Sequence, residues 1–489
     1  MRQLTALDVQ FLAMENGRVH GHVSMLAICD PATAPGGRLD AAAIRELVAE
    51  RIHLLPPFRW RLVRVPFDLD HPFWIEDPAF DLDYHIRDIT IRPPGDAKAL
   101  GEMAAYAASL ELDRARPLWE MQIVHGLKGG RVALIAKVHH AAVDGLSGAE
   151  VLTVLLDMGP EGREIPPATP RVVEQVPNEM ALLGRSLLRL PLHPLRGLRA
   201  LPSVLPGLTQ VPPLRGLPGV GQVARLSGRV ATLAGRVTGS EDGGVLEMPS
   251  VRAPRTRLNG QVSPHRRFAF GSLSLDTVKK IKKRHGVTVN DVVMTLCAGA
   301  LRRRLTATSD LPDEPLVAMV PLSVRTPEQF GTFGNKISMM IVPIPTDIAD
   351  PAERLAAMHQ TMSSAKEHHQ ALPATLLQDV THFIPPALFA RTTRTLFRVA
   401  AQNTPPVNVV ISNVPGAPFP LYCGGAKMEN NYPVSVLFEG VGLNITVLSY
   451  QSHLDFGLIA DRDMLPDAWE LLADLRSSLK ELAATRKGR

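Results

Sequence analysis

The residues Val132-Ala133-Leu134-Ile135-Ala136-Lys137-Val138 form a short, nearly unbroken apolar run that ends at His139-His140. A run of this length and polarity has the pattern of an interior strand. The chain must therefore build a sheet with little solvent on either face, and it delivers two imidazoles to the end of one buried strand. From Ser147 the pattern turns helical, with Val151, Leu152, Leu155 and Leu156 at three- and four-residue spacing, and Gly159-Pro160 closes it. Upstream, Phe80-Asp81-Leu82-Asp83-Tyr84-His85-Ile86 alternates with period two and predicts a half-buried strand.

The later chain follows the same grammar. Lys279 to Leu301 reads as helix, turn at Gly286, helix. Strands are expected at Asn408–Ser412 and Leu443–Val447. A final helix places Leu472, Leu475, Leu479 and Leu482 on one face, with a cationic end at Arg486-Lys487-Gly488-Arg489. Strands interleaved with helices indicate an α/β class, and 489 residues exceed one core and suggest two domains. The divisions are 1–160, a Pro/Arg-rich connector at 161–258, and 259–489. From Ala181 to Ser240 there is no Asp or Glu, while Arg185, Arg189, Arg196, Arg199, Arg215, Arg225, Arg229 and Arg236 punctuate Leu, Pro and Gly. Such a stretch suits either an anionic membrane face or a surface connector.

Several function classes drop out. Aromatics are 5% of the chain and no nucleic-acid motif accompanies the net charge of +5, so no nucleic acid is expected as partner. Cys29, Cys297 and Cys423 are far apart and contain no CxxC pair, which argues against a disulfide framework or a thiolate metal site and suits a reducing, cytoplasmic setting. The first residues lack the apolar core of a signal peptide, and nowhere do 18 apolar residues run together. Membrane contact is therefore expected to be peripheral.

Successive strand residues point to opposite faces, so His139 and His140 do not serve one site together: one faces a cavity, the other the scaffold. Asp144 lies four residues beyond His140, where a carboxylate can fold back across a turn, and Gly145 permits backbone angles that other residues resist. A neutral imidazole suits deprotonation of an alcohol as it attacks a carbonyl. Competing readings are a purely structural histidine pair, a zinc site lacking its remaining ligands, and a Ser-His-Asp hydrolase lacking a G-x-S-x-G elbow.

His139-His140-Ala141-Ala142-Val143-Asp144-Gly145 resembles the HHxxxDG signature of the CoA-dependent acyltransferase superfamily. Further motifs narrow the resemblance to the bacterial wax ester synthase/acyl-CoA:diacylglycerol acyltransferase family. They are Leu7-Asp8 with Phe11-Leu12, Phe58-Arg59-Trp60-Arg61-Leu62 and Arg116-Pro117-Leu118-Trp119-Glu120. Next come Asn259-Gly260 with Pro264-His265-Arg266-Arg267, Asn290-Asp291, and Pro321-Leu322-Ser323-Val324-Arg325. Gly334-Asn335-Lys336-Ile337-Ser338 and Ser412-Asn413-Val414-Pro415-Gly416 complete the series, which runs in order from about residue 4 to 480.

The resemblance implies two chloramphenicol-acetyltransferase-like halves, with mixed sheets flanked by helices and an active-site tunnel between them. It implies acyl-CoA as one substrate and diacylglycerol or a long-chain alcohol as the other, with no metal and no bound cofactor. It makes His140 the proton acceptor and Asp144 a catalytic-loop residue held by an arginine, for which Arg325 is the candidate. His139, Gly145, Asn290 and Asp291 become candidates for substrate contact. Asp291 also fits a local role, since Thr288-Val289-Asn290-Asp291 has the form of a capping box. Trp119 is expected in the core. Ser412–Gly416 is either a plain turn or tunnel lining, and Asp455-Phe456-Gly457 resembles a structural motif of plant acyltransferases. His85 and His265 are expected to pack or face solvent. Lys279, Lys280, Lys282 and Lys283 would either attract CoA phosphates or form a solvated helix face. The expected reaction is transfer of a fatty acyl group to diacylglycerol, with wax ester formation beside it. A role in lipid storage follows from that, as does peripheral placement at a membrane or lipid droplet. The alternatives are a dedicated wax ester synthase, a non-catalytic lipid-droplet coat, and a condensation-type enzyme acting on carrier-bound substrates.

Overall fold

The computed structural model describes residues 1–66, 69–142, 148–168, 178, 180, 182–184, 252–323, 337–370 and 405–485. Asp144, Gly145, Arg325, the arginines from Arg185 to Arg236 and the Arg486–Arg489 end lie outside the described residues.

The first half opens with β1 (Arg2–Gln3) and α1 (Ala6–Met14), whose start is fixed by a capping box between Thr5 and Asp8. Then come β2 (His22–Asp30), α2 (Ala41–Arg51), β3 (Trp60–Val63) and β4 (Phe73–Glu76). They are followed by α3 (Leu82–His85), β5 (Ile86–Thr90), α4 (Ala97–Ser109), β6 (Trp119–His125), β7 (Val132–His139) and α5 (Gly148–Leu155). The expected interior strand is β7, and Leu155 and Leu156 are buried at the end of α5 as its spacing required.

One expectation is corrected. Phe80–Ile86 is not a strand: the Asp81 side chain accepts the Asp83 amide, and residues Leu82–His85 form a single helical turn before β5 begins at Ile86. The local Asp cap wins over the alternation because a capped amide satisfies a backbone donor at once.

The second half runs through β8 (Arg266–Ser274), α6 (Leu275–His285), α7 (Val289–Ala307), β9 (Leu316–Ser323), β10 (Ile337–Ile344) and α8 (Pro351–Gln370). It continues with β11 (Val409–Val414), β12 (Tyr422–Cys423), β13 (Ala426–Val434), β14 (Leu443–Tyr450), β15 (His453–Asp461) and α9 (Ala468–Ala484). Gly286 ends α6 in the left-handed conformation, φ 72°, and its N–H bonds Lys282 O, so the helix–turn–helix reading holds. Leu472, Leu475, Leu479 and Leu482 are all buried on one face of α9. Lys279, Lys280, Lys282 and Lys283 are exposed on α6 while Val278 and Ile281 face the core.

Among the described residues, two six-stranded sheets carry the fold, with a small sheet of β1-β4-β3 beside them. One has the order β10-β9-β11-β14-β15-β8, and the other β12-β13-β2-β7-β6-β5. The second order holds the main topological feature. β12 and β13 follow β11 in sequence yet pair into the sheet of the first half, β13 running antiparallel to β2 from Lys427↔Asp30 to Val434↔Ser24. The β12–β13 hairpin turns on Gly424 and Gly425, both at positive φ (54° and 78°), where side-chain-bearing residues are strained.

The junction is stitched by Asp455-Phe456-Gly457 on β15. Asp455, fully buried, accepts the Asn431 amide of β13 at 2.8 Å and the Ser272 hydroxyl of β8 at 2.5 Å. A Cβ at Gly457 would stand 1.7 Å from Pro433 O, so only glycine lets the two strands cross here. This motif is scaffold. Among the described residues no helix is long and apolar enough to cross a membrane.

Candidate active site

β7 carries its even-numbered side chains to one face and its odd-numbered ones to the other. His139 enters the scaffold side and is 2% exposed. Its Nδ1 accepts the Ala141 N–H at 3.1 Å, so that nitrogen carries no proton, and its Nε2–H donates to Glu15 Oε1 at 3.1 Å. The substrate contact expected of His139 is not what its ring does: it is fully engaged with protein.

Glu15 follows α1 directly. Its Oε1 also accepts the Gly21 N–H at 2.7 Å, and the Arg114 guanidinium bonds its other oxygen. Burial raises the cost of its charge, but these hydrogen bonds and the neighbouring charges hold the carboxyl well below the usual range. Gly21 must be glycine, since a Cβ there would sit 2.9 Å from His139 Nε2.

His140 lies on the opposite face and is half-buried. Its N–H bonds Gly21 O at 2.8 Å, and its ring stacks on Phe11 with centroids 4.4 Å apart and planes 9° from parallel. Among the described residues no hydrogen bond engages the imidazole. Burial first, and the adjacent His139 second, lower its pKa to about 4. The ring is therefore neutral near pH 7.

The face that carries His140 is unlike its reverse. Val23, Met25 and Ala27 of β2 and Ala136, Val138 and His140 of the neighbouring strand are all half-buried, whereas Leu26, Ile135, Lys137 and His139 are buried. The register places Val23 beside Val138, Met25 beside Ala136 and Ala27 beside Leu134. An apolar cavity of about 50 Å³ opens at the far end, floored by Leu134 and Ala136, walled by Leu47 of α2 and Leu152 of α5, and ringed by Met25, Met121 and Met428. Six strand steps separate Leu134 from His140, roughly 20 Å. An apolar strip thus leads along the sheet to an imidazole that makes no hydrogen bond among the described residues.

The second-half candidates sit at the start of α7. The carboxylate of Asp291, 1% exposed, accepts the Thr288 amide at 2.9 Å while Thr288 Oγ1 accepts the Asp291 amide, completing the capping box. The same carboxylate bonds His359 Nδ1 of α8 at 2.7 Å. These bonds fix the helix start and join α7 to α8. Asn290 is half-buried and its Oδ1 accepts from Asn413 Nδ2 at 3.2 Å. The Asn290-Asp291 and Ser412–Gly416 motifs, distant in sequence, therefore meet.

Trp119 is core: 1% exposed, its Nε1 donates to Phe58 O at 2.7 Å. His85 stacks on Trp119 and bonds its carbonyl, and His265 is exposed. Glu15, Gly21 and Arg114 were passed over in the sequence. The only signal was that Glu15 follows the Leu7-Asp8…Phe11-Leu12 motif.

The sequence profile of the wax ester synthase/diacylglycerol acyltransferase catalytic domain matches residues 4–293, and that of the family's C-terminal domain matches 333–483. The chain belongs to this family. It is accordingly an acyltransferase of the wax ester synthase/diacylglycerol acyltransferase type. A Mycobacterium tuberculosis protein named, provisionally, a diacylglycerol O-acyltransferase is 35% identical over 487 residues, covering 99% of this chain and 90% of its own. The solved wax ester synthase/diacylglycerol acyltransferase of Marinobacter aquaeolei VT8 is 28% identical, with a TM-score of 0.68 over 99% of this chain and 98% of that one. The first condensation domain of the calcium-dependent antibiotic synthetase shares the fold, with 15% identity and a TM-score of 0.52 over 100% and 98% of the two chains. The two-domain α/β architecture with mixed sheets is that of the family.

Proposed function

We propose that this family member moves a fatty acyl group from acyl-CoA to the free hydroxyl of diacylglycerol, forming triacylglycerol, with His140 as general base. The supporting observation is the half-buried imidazole at the end of an apolar strip, which makes no hydrogen bond among the described residues. His140 takes the hydroxyl proton as the oxygen attacks the thioester carbonyl carbon. The tetrahedral oxyanion collapses, the C–S bond breaks, and the CoA thiolate takes the proton back from the imidazolium. One ester and one free thiol result, and the base is regenerated. The acyl chain lies along Val23, Met25, Ala136 and Val138, with the methionine-ringed cavity at its far end accommodating the terminal carbons; methionine adapts to such irregular space. Asp144 and Gly145 keep the roles that the HHxxxDG resemblance implies, and Arg325 is the partner we assign to Asp144. Asn290 is the second-half residue to which we assign the holding of a substrate oxygen; its half-buried amide beside Asn413 supports that reading.

Long-chain alcohols fit the same chemistry, because the base requires only a hydroxyl beside the thioester. The Marinobacter relative is named for both reactions. The test is labelled palmitoyl-CoA with either diacylglycerol or hexadecanol, using wild type and His140→Ala. Loss of general-base help lowers kcat by about 10²–10⁴-fold with both acceptors. Equal ester formation by the two proteins would end the catalytic role of His140, and binding of lipid without turnover by wild type would point to a coat protein. Higher kcat/KM for hexadecanol than for diacylglycerol would make the protein chiefly a wax ester synthase.

A further inference from the structure

We infer that Glu15 is a positioning residue for His140, acting through a closed ring of hydrogen bonds around the backbone on either side of it. This rests on the catalytic role proposed for His140. One carboxylate oxygen, Glu15 Oε1, holds two partners: the Gly21 N–H at 2.7 Å and His139 Nε2 at 3.1 Å. Each partner passes the constraint on. Gly21 O accepts the His140 N–H at 2.8 Å, and His139 Nδ1 accepts the Ala141 N–H at 3.1 Å. The amides at 140 and 141 flank the Cα that bears the base, so both peptide planes leading from it are fixed by the same carboxylate.

The ring also selects a tautomer. Ala141 N–H needs a lone pair on Nδ1, which leaves the proton of His139 on Nε2, facing Glu15. Glu15 is itself fixed by Arg114, which bonds Glu15 Oε2 and the Leu12 carbonyl at the end of α1. The anchor thus extends to the helix that supplies Phe11, the residue stacked on His140. Space is exhausted at the centre, where Gly21 leaves no room for a Cβ beside His139. A half-buried carboxylate kept ionised by three donors, all of them protein groups, and one residue removed from the base stabilises geometry rather than chemistry.

The test compares Glu15→Ala and Glu15→Gln with wild type and His140→Ala, using the full chain, palmitoyl-CoA and hexadecanol. Glutamine retains an acceptor oxygen for Gly21 and His139 but not the charge toward Arg114. We expect Glu15→Ala to keep its KM for palmitoyl-CoA within twofold while kcat falls by about 100-fold, the scale of a 1 Å misplacement. Glu15→Gln should recover kcat to within about tenfold of wild type, a rescue that a simple loss of folded protein would not give. Circular dichroism fixes the folded fraction of each variant. A folded Glu15→Ala with kcat within threefold of wild type would overturn the proposal, as would a loss confined to KM. Should Glu15→Ala not fold, the decision passes to Glu15→Gln: a folded protein as slow as His140→Ala would exclude the acceptor role. If His140→Ala retains wild-type kcat, the reading of His140 fails instead, and the two failures are distinct.

Discussion

His140 is neutral at pH 7 because burial and its neighbour His139 disfavour the imidazolium, moving the pKa from 6.5 to about 4. The sign has two consequences. As a base the ring is competent whenever unprotonated, so the acid limb of kcat/KM, which reports the free enzyme, should fall near pH 4 and leave the rate flat from about 6 to 8. An acid limb near 6.5, measured with palmitoyl-CoA under subsaturating conditions, would show a solvated ring instead. For stability, a lowered folded-state pKa means that the unfolded chain takes up the proton first. The folded state loses ground as pH falls from 6.5 toward 4 and gains nothing from this group above 6.5. The buried strand that delivers His140 was legible in the sequence, because an apolar run ending in His-His admits few arrangements. Glu15 was not, since its partners are 6, 99 and 124 residues away and no local pattern joins them.

At the scale of elements, the sequence was read correctly where local chemistry and packing agree. α6 and α7 have a glycine stop and a capping box around apolar periodicity, and both formed as expected. Phe80–Ile86 failed because period-two alternation and an Asp cap gave opposite instructions within seven residues. The β12–β13 hairpin at Gly424-Gly425 was not read from the sequence, and nothing local says which sheet receives it. The crossing of β13 over β15 depends on one missing methyl. Gly457→Ala should destabilise the protein by about 3 kcal/mol, the upper end for overpacking, because the contact is with a backbone oxygen that cannot rotate away. Urea unfolding would read it, and an unchanged midpoint would show that β13 shifts easily.

At the scale of the whole molecule, a boundary at residue 258 divides the chain but not the sheets. β2 is paired on one side by β7 and on the other by β13, about 400 residues later in the sequence. A fragment of residues 1–258 would leave β2 as a long open edge, which recruits other chains. Expressed alone it should aggregate, and coexpression with residues 252–489 should restore a soluble complex by size-exclusion chromatography. A monomeric fragment with a cooperative melt would show that the first half is self-sufficient. Two-half architecture was legible from the interleaved pattern; the exchange was not, because strand pairing across such a separation leaves no periodic trace.

The borrowed hairpin also limits how this acyltransferase breathes. Its two halves share a ladder of main-chain bonds along β2 and β13, so they cannot part like jaws to admit a long lipid without peeling a strand from a sheet. Any lipid that reaches the junction must come by a route that leaves the β2–β13 ladder intact.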